Sequence, residues 1–257
     1  MPIAHIRIPV YVPRWLFPAA RRFWRRVAAP KKRRGPSLAG DREVEYTFIA
    51  GNLPPGPGTA LDFGSGPAFL SLEAAQRGYE VTALDMIPYE GDIFWRHPAV
   101  KFAIGDVLSM DLPRSSFDVV MNCSAVEHVG LAGHYAVKEQ RDRGDLEAMY
   151  AMRQVLKPGG LMLLTVPCGR DAVFHPFFRV YGEQRLPLLL EGFRLEKQEF
   201  WVKDDADRWV VCGAEAALAY RASADPLYPY YNTYALGCFV LRRPVDDRKA
   251  KGSGAPR

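Results

Sequence analysis

Leu61-Asp62-Phe63-Gly64-Ser65-Gly66-Pro67-Ala68 is the stretch that decides how this chain is read. It follows an apolar run, residues 59–63, that reads as a buried strand. It opens residues 68–77, which read as a helix stopped by Gly78. Glycine at 64 and 66 lets the backbone approach a ligand closely, and a helix start offers unpaired N–H donors. Two glycines are a weak motif on their own; their place between strand and helix gives them weight.

Outward from this loop, strands and helices alternate. Residues 80–84 read as a strand ending at Asp85, and 100–104 as a strand ending at Gly105-Asp106. Residues 117–122 form an apolar strand. Asp145 stands where an N-cap would start a helix through Leu156, carrying Leu146, Met149, Met152 and Val155. Lys157-Pro158-Gly159-Gly160 is a turn, and 161–166 an apolar strand buried on both faces. Upstream, 41–52 reads as a helix with Val44, Phe48 and Ile49 inward. Downstream come a helix over 183–191 and strands over 193–201 and 238–242, suited to pair antiparallel at one sheet edge. Between those strands lie a short Ala-rich helix (214–220) and the aromatics Tyr228, Tyr230, Tyr231 and Tyr234. This order predicts an α/β Rossmann-like fold: a mostly parallel central sheet with an antiparallel edge strand and helices on both faces. The expected division is an appendage over 1–40, one domain over 41–243, and a disordered tail over 244–257.

Charge is unevenly spread over the 257 residues. The net +5 hides ten Lys/Arg and no acid in residues 1–35, and six Lys/Arg against two acids in 242–257. That leaves 18 basic and 27 acidic residues in 36–241, a net of −9. An acidic body repels phosphate backbones, so nucleic acid is not the expected partner. Between Pro18 and Pro30 an amphipathic helix is expected, with Phe23 and Trp24 on its apolar face, followed by Lys31-Lys32-Arg33-Arg34. Residues 14–34 thus suit an anionic membrane surface, or a helix docked on the core with a solvated basic face. Cys123, Cys168, Cys212 and Cys238 form no CxxC pair, so neither a metal site nor a disulfide framework is expected. The expected location is cytoplasmic, peripheral at the inner face of the membrane if the arm binds there.

Three features give the glycine loop a chemical meaning. Asp85 ends the second strand 21 residues after Gly64, where a carboxylate can accept from both hydroxyls of a ribose. Asp106 ends the third strand, where a short acceptor can meet an adenine amino group. The Pro-Gly-Gly turn precedes the fifth strand.

Over roughly residues 41–200 the chain resembles the class I S-adenosylmethionine-dependent methyltransferases. The matching residues are Asp62, Gly64, Gly66, Asp85, Asp106, the segment from Asn122 to His128, and Pro158-Gly159-Gly160. The resemblance implies S-adenosyl-L-methionine as cofactor. Asp62, Gly64, Ser65 and Gly66 would hold its methionine part, Asp85 with Met86 the ribose, and Asp106 with Val107 the adenine. Asn122 and Ser124 would complete the cofactor site. Ala68 replaces the third glycine of the common pattern. Glu127 and His128 follow the fourth strand, where His128 would act as general base; the alternative is that the pair only holds the loop. The run from Glu127 to Tyr135, with 179–186, resembles a bacterial subset, which would put His134, Tyr135, Arg179 and Tyr181 in the acceptor pocket. A small-molecule or glycan/glycolipid acceptor, in cell-surface polysaccharide synthesis, is then the expectation. Two other readings stay open. A nicotinamide-dependent oxidoreductase would need Gly or Ala where Phe69 stands in a GxGxxG loop. The other is a non-catalytic, membrane-associated protein that keeps the fold.

Overall fold

The computed structural model describes residues 37–88, 93–133, 135, 137–224 and 232–245. The chain divides into two units, Met1–Gly35 and Pro36–Arg257. The expected amphipathic helix, the Lys31–Arg34 run, His134, Tyr228, Tyr230, Tyr231 and most of the tail lie outside the described residues. Among the described residues no helix is long and apolar enough to cross a membrane.

One eight-stranded sheet organises the second unit. Its elements are α1 (Asp41–Asn52), β1 (Gly58–Phe63), α2 (Phe69–Gln76), β2 (Tyr79–Asp85), β3 (Val100–Ile104), β4 (Phe117–Cys123), α3 (Gly144–Val155) and β5 (Leu156–Cys168). The hairpin β6 (Ala172–Phe174) and β7 (Phe178–Val180) follows, then α4 (Arg185–Leu189), β8 (Arg194–Lys203), β9 (Trp209–Cys212), α5 (Ala214–Leu218) and β10 (Ala235–Arg242). The sheet order is β3-β2-β1-β4-β5-β10-β8-β9. The first five strands pair in parallel. β10 runs antiparallel to both β5 and β8, and β9 antiparallel to β8, so one side of the sheet is antiparallel as expected.

Strand periodicity explains the two-sided core, because successive side chains point to opposite faces. Along β4, Val119 and Met121 pack with Phe48, Ile49, Leu70 and Ala74 of α1 and α2. Val120, between them, packs with Met149 and Met152 of α3 on the other face. Both faces being covered is why these strands are apolar throughout.

Three local expectations need correction. Asp145 does not cap α3: Arg143 is the cap residue, and Asp145 sits inside the first turn, buried, paired with Arg185 at 2.6 Å. Burial beside two arginines outweighs capping here. Residues 157–160 are not a free turn before the strand. β5 already pairs at Leu156 with Phe117 and resumes at Leu161 with Val119, so the four residues bulge out of the ladder. Gly159 takes φ 79°, and Arg243 bonds to both Gly159 and Gly160. The helix over 183–191 is shorter than expected; the Asp171 carboxylate accepts from the backbone of Gly182, Gln184 and Arg185 and fixes its start.

Candidate active site

The acidic residues of the loop and strand ends meet at the carboxyl edge of the parallel strands. Asp62, the second-last residue of β1, is buried, and its Oδ2 accepts from the Ser71 hydroxyl of α2 at 2.6 Å. Burial pushes its carboxyl up to about 6, against the Ser71 hydrogen bonds. Gly64 and Ser65 donate to the Leu84 carbonyl, which fastens the loop across the end of β2. Asp85 then holds the loop from its own side chain: Oδ2 accepts from Gly66 N and Oδ1 from Ile87 N, both at 2.9 Å. Asp106 Oδ1 accepts from Leu108 N at 2.9 Å.

These groups line one cavity of about 510 Å³, within the size range of small-molecule sites. Asp62, Gly64, Ser65, Gly66, Asp85, Met86, Asp106, Val107, Ser124, His128 and Tyr135 all contribute to its wall. The two glycines do different work. A side chain on Gly64 would overlap the Ala125 methyl, so this position seals the loop against the segment after β4. A Cβ on Gly66, at φ 48°, would meet open space within 4 Å, which leaves backbone bare towards the cavity.

The segment after β4 is tightly built. Ser124 has φ 44°, and its hydroxyl donates to the Glu45 carboxylate. Asn122 is fully buried and absent from the wall; its Oδ1 accepts from Ala125 N and Val126 N at 3.4 and 3.3 Å. Its place in the cofactor site is therefore corrected to one of shaping the loop. Glu127 is also buried behind the wall, its Oε2 without a partner among the described residues. Burial pushes its carboxyl up to about 8. His128 reaches the cavity, with Tyr135 edge-on to its ring at 4.9 Å. Its Nδ1 bonds to the Phe177 carbonyl and its Nε2 lies 3.7 Å from Glu127 Oε1. A carbonyl can only accept, so in the neutral ring Nδ1 carries the proton and Nε2 is the acceptor nitrogen.

Two expected acceptor residues lie elsewhere. Arg179 and Tyr181 are buried in the interior, off the cavity wall. Arg179 donates to the carbonyls of Glu127, Val129 and Arg141 at 3.3, 2.6 and 2.9 Å, and lies 3.7 Å from Asp145. A guanidinium with five donors suits this work of tying backbone segments together. Tyr181 belongs to the core cluster under α3.

The helix α1, expected from the sequence only as a packing element, also contributes to the site. Arg42 and Tyr46 line the cavity, and Glu45 behind them is fully buried. Glu45 pairs with Arg42 at 2.6 Å and accepts from the Ser124 and Thr165 hydroxyls. Burial pushes its carboxyl up, opposed by Arg42 and these hydroxyls. The available signal was Glu45 itself: it shares a helix face with Phe48 and Ile49, and a charge on a buried face needs a partner.

Known proteins resemble the chain at three levels. Residues 107–204 match a family model described as a Caenorhabditis protein of unknown function, DUF268. A demethylmenaquinone methyltransferase of Deinococcus radiodurans is 27% identical over 159 residues, covering 59% of this chain and 61% of that protein. A Mycolicibacterium smegmatis protein named "Probable S-adenosylmethionine-dependent methyltransferase" is 31% identical over 110 residues, covering 39% of this chain and 38% of its own. The chain thus spans less than two thirds of either relative. Among solved structures, the N-methyltransferase NodS of Bradyrhizobium japonicum, in complex with S-adenosyl-L-homocysteine, superposes with TM-score 0.51 at 15% identity, over 80% of this chain and 88% of that one. Strand order, strand-end site and these likenesses define the class I methyltransferase fold.

Proposed function

We propose that the chain is an S-adenosylmethionine-dependent methyltransferase acting on a small-molecule or glycan acceptor. The observation that carries this is the convergence of Asp62, Asp85 and Asp106 with the bare backbone of Gly66 on one cavity at the ends of β1, β2 and β3. The donor set fits the cofactor. Three carboxylates favour a cationic sulfonium, and Asp85 keeps lone pairs for ribose hydroxyls beyond those used by Gly66 and Ile87. Asp106 and the buried Val107 offer an acceptor and an apolar surface for adenine. When bound, the cofactor supplies a methyl group already activated for displacement. The chain's own work is to align a nucleophile within about 3–3.5 Å of the reacting carbon and to exclude competing water. His128, at the wall but engaged by Phe177, is the group positioned to take a proton if the acceptor is a hydroxyl. A role in cell-surface polysaccharide synthesis, and contact of residues 14–34 with an anionic membrane, complete the proposal.

Titration calorimetry tests the central claim. S-adenosylmethionine and S-adenosylhomocysteine are expected to bind and NAD not. Asp85→Ala is expected to lose roughly 2–4 kcal/mol of that affinity, since it removes hydrogen bonds to ligand and loop together. A folded chain that ignores both sulfur compounds at millimolar concentration, or that binds NAD instead, overturns the proposal.

A further inference from the structure

Between β4 and α3 the chain makes an excursion over residues 130–141 whose described residues belong to no strand or helix. Its two limbs are laced together. Gly133 N–H donates to the Val137 carbonyl at 3.0 Å, Ala132 N–H to Gln140 Oε1 at 3.1 Å, and Arg141 N–H to the Gly130 carbonyl at 2.8 Å. Arg179 closes the foot by donating to the carbonyls of Val129 and Arg141. There Gly130 and Gly144 approach so closely that neither has room for a side chain. On its flank, Gly133 lies against Pro176, at the turn of the β6–β7 hairpin. The excursion therefore springs from β4 and leans on the hairpin that follows β5. Asp62, Asp85 and Asp106 belong to β1, to β2 and to the end of β3, on the other side of β4 in the sheet.

Tyr135, Val137, Lys138, Glu139 and Arg141 of this excursion line the cavity together with His128. Tyr135 stands at the tip with φ 46°, a conformation that a non-glycine residue keeps only where its surroundings hold it, and one that gathers at ligand sites. Its ring meets His128 edge-on at 4.9 Å and stays 41% exposed. Two cations of the excursion, Lys138 and Arg141, stand on this wall against one anion, Glu139. Arg141 shares its charge with Glu147 of α3 at 3.4 Å. Lys138 makes no hydrogen bond or ion pair among the described residues.

We propose that the excursion is the acceptor-recognition element: Lys138 binds an anionic group of the acceptor, a carboxylate or a phosphate, while the apolar part of the same molecule packs on Tyr135 beside His128. This rests on the methyltransferase reading and deepens it by naming the acceptor's class, a small molecule that carries an anion. A lysine is a compact point charge that suits either group, and the braced backbone beneath it lowers the ordering cost of binding.

Aromatic fragments are the probe. Phenyl phosphate, benzoate and neutral benzyl alcohol are titrated against the full chain at low salt, with S-adenosylhomocysteine saturating so that the place of the cofactor's own carboxylate is filled. At least one anion is expected to bind about tenfold more tightly than benzyl alcohol, and the preferred anion identifies the group. Lys138→Met is expected to reduce the anion to the level of the alcohol and Lys138→Arg to keep the preference, with S-adenosylhomocysteine affinity unchanged in both. Lys138 is exposed, so neither substitution disturbs the core. Tyr135→Ala is expected to weaken all three fragments. Equal binding of the alcohol, no anion binding up to about 10 mM, a preference that survives Lys138→Met, or unaltered binding of all three fragments in Tyr135→Ala overturns the inference. Failure of the wild type to bind S-adenosylhomocysteine counts against the methyltransferase reading instead, and the anion preference and its loss in Lys138→Met are then read on the bare chain.

Discussion

Glu127 shows what burial does to a single residue. Its carboxyl is sealed from water and from the cavity, and burial pushes it up to about 8 from the ordinary 4.5. A group with a raised folded-state value holds its proton in the native chain after the unfolded chain has lost it. Folding therefore takes up a proton between roughly pH 4.5 and 8, and the stability this group supports drains away as pH rises through that window. Glu127→Gln keeps the shape and cannot ionise. Its melting temperature is expected to fall less than that of the wild type between pH 5 and pH 8; parallel curves in differential scanning calorimetry would remove Glu127 as a titrating group. At this scale the sequence was legible where chemistry sits on the chain's main route: Asp62, Asp85 and Asp106 end strands whose apolar runs are plain. It was not legible for Arg179 and Tyr181. Their residue types suit a pocket and a core equally, and only the packing of β7 beneath the loop after β4 separates the two.

At the scale of elements, that packing has a consequence for the wall of the site. Arg179 on β7 ties the carbonyls of Glu127, Val129 and Arg141, so one guanidinium joins the segment after β4 to the segment before α3. Arg185 adds a second tie, to Asp145 and the Asp142 carbonyl. His128, Val129, Gly130 and Arg141 on these two segments all line the cavity. Arg179→Met leaves three carbonyls to find other partners and strips Asp145 of one counter-charge. A loss of about 3–5 kcal/mol in urea unfolding is expected. Amide exchange should quicken first over 126–131 and 141–145; a variant that loses stability without local loosening there would make Arg179 an ordinary core residue. Element existence was well marked in the sequence, through apolar runs bounded by Gly and Pro. The hairpin β6–β7 and strand β9 were not marked. The first is three residues to a strand, too short for a period to show, and β9 closes an exposed sheet edge, where the alternation of an interior strand is not required.

For the whole molecule, the governing feature is the separation of charge along the chain. Residues 36–241 carry a net of −9, and residues 1–35 carry ten positive charges with no acid. An acidic body attracts a cationic cofactor and is repelled by an anionic membrane, so attachment to such a surface falls to the basic ends of the chain, the ten-charge arm foremost. Each Lys or Arg near the surface is worth about 1 kcal/mol, and Phe23 and Trp24 add apolar contact if the expected helix forms there. The full chain is expected to co-sediment with phosphatidylglycerol vesicles at low salt and not with phosphatidylcholine vesicles. Raising salt to about 1 M, where screening shortens to about 3 Å, should release it. Replacement of Lys31, Lys32, Arg33 and Arg34 by Gln should weaken the association, and deletion of residues 1–35 should abolish it while S-adenosylhomocysteine binding persists. Co-sedimentation that survives the deletion would move the contact to the rest of the chain, the basic stretch 242–257 included, and remove the arm from the proposal.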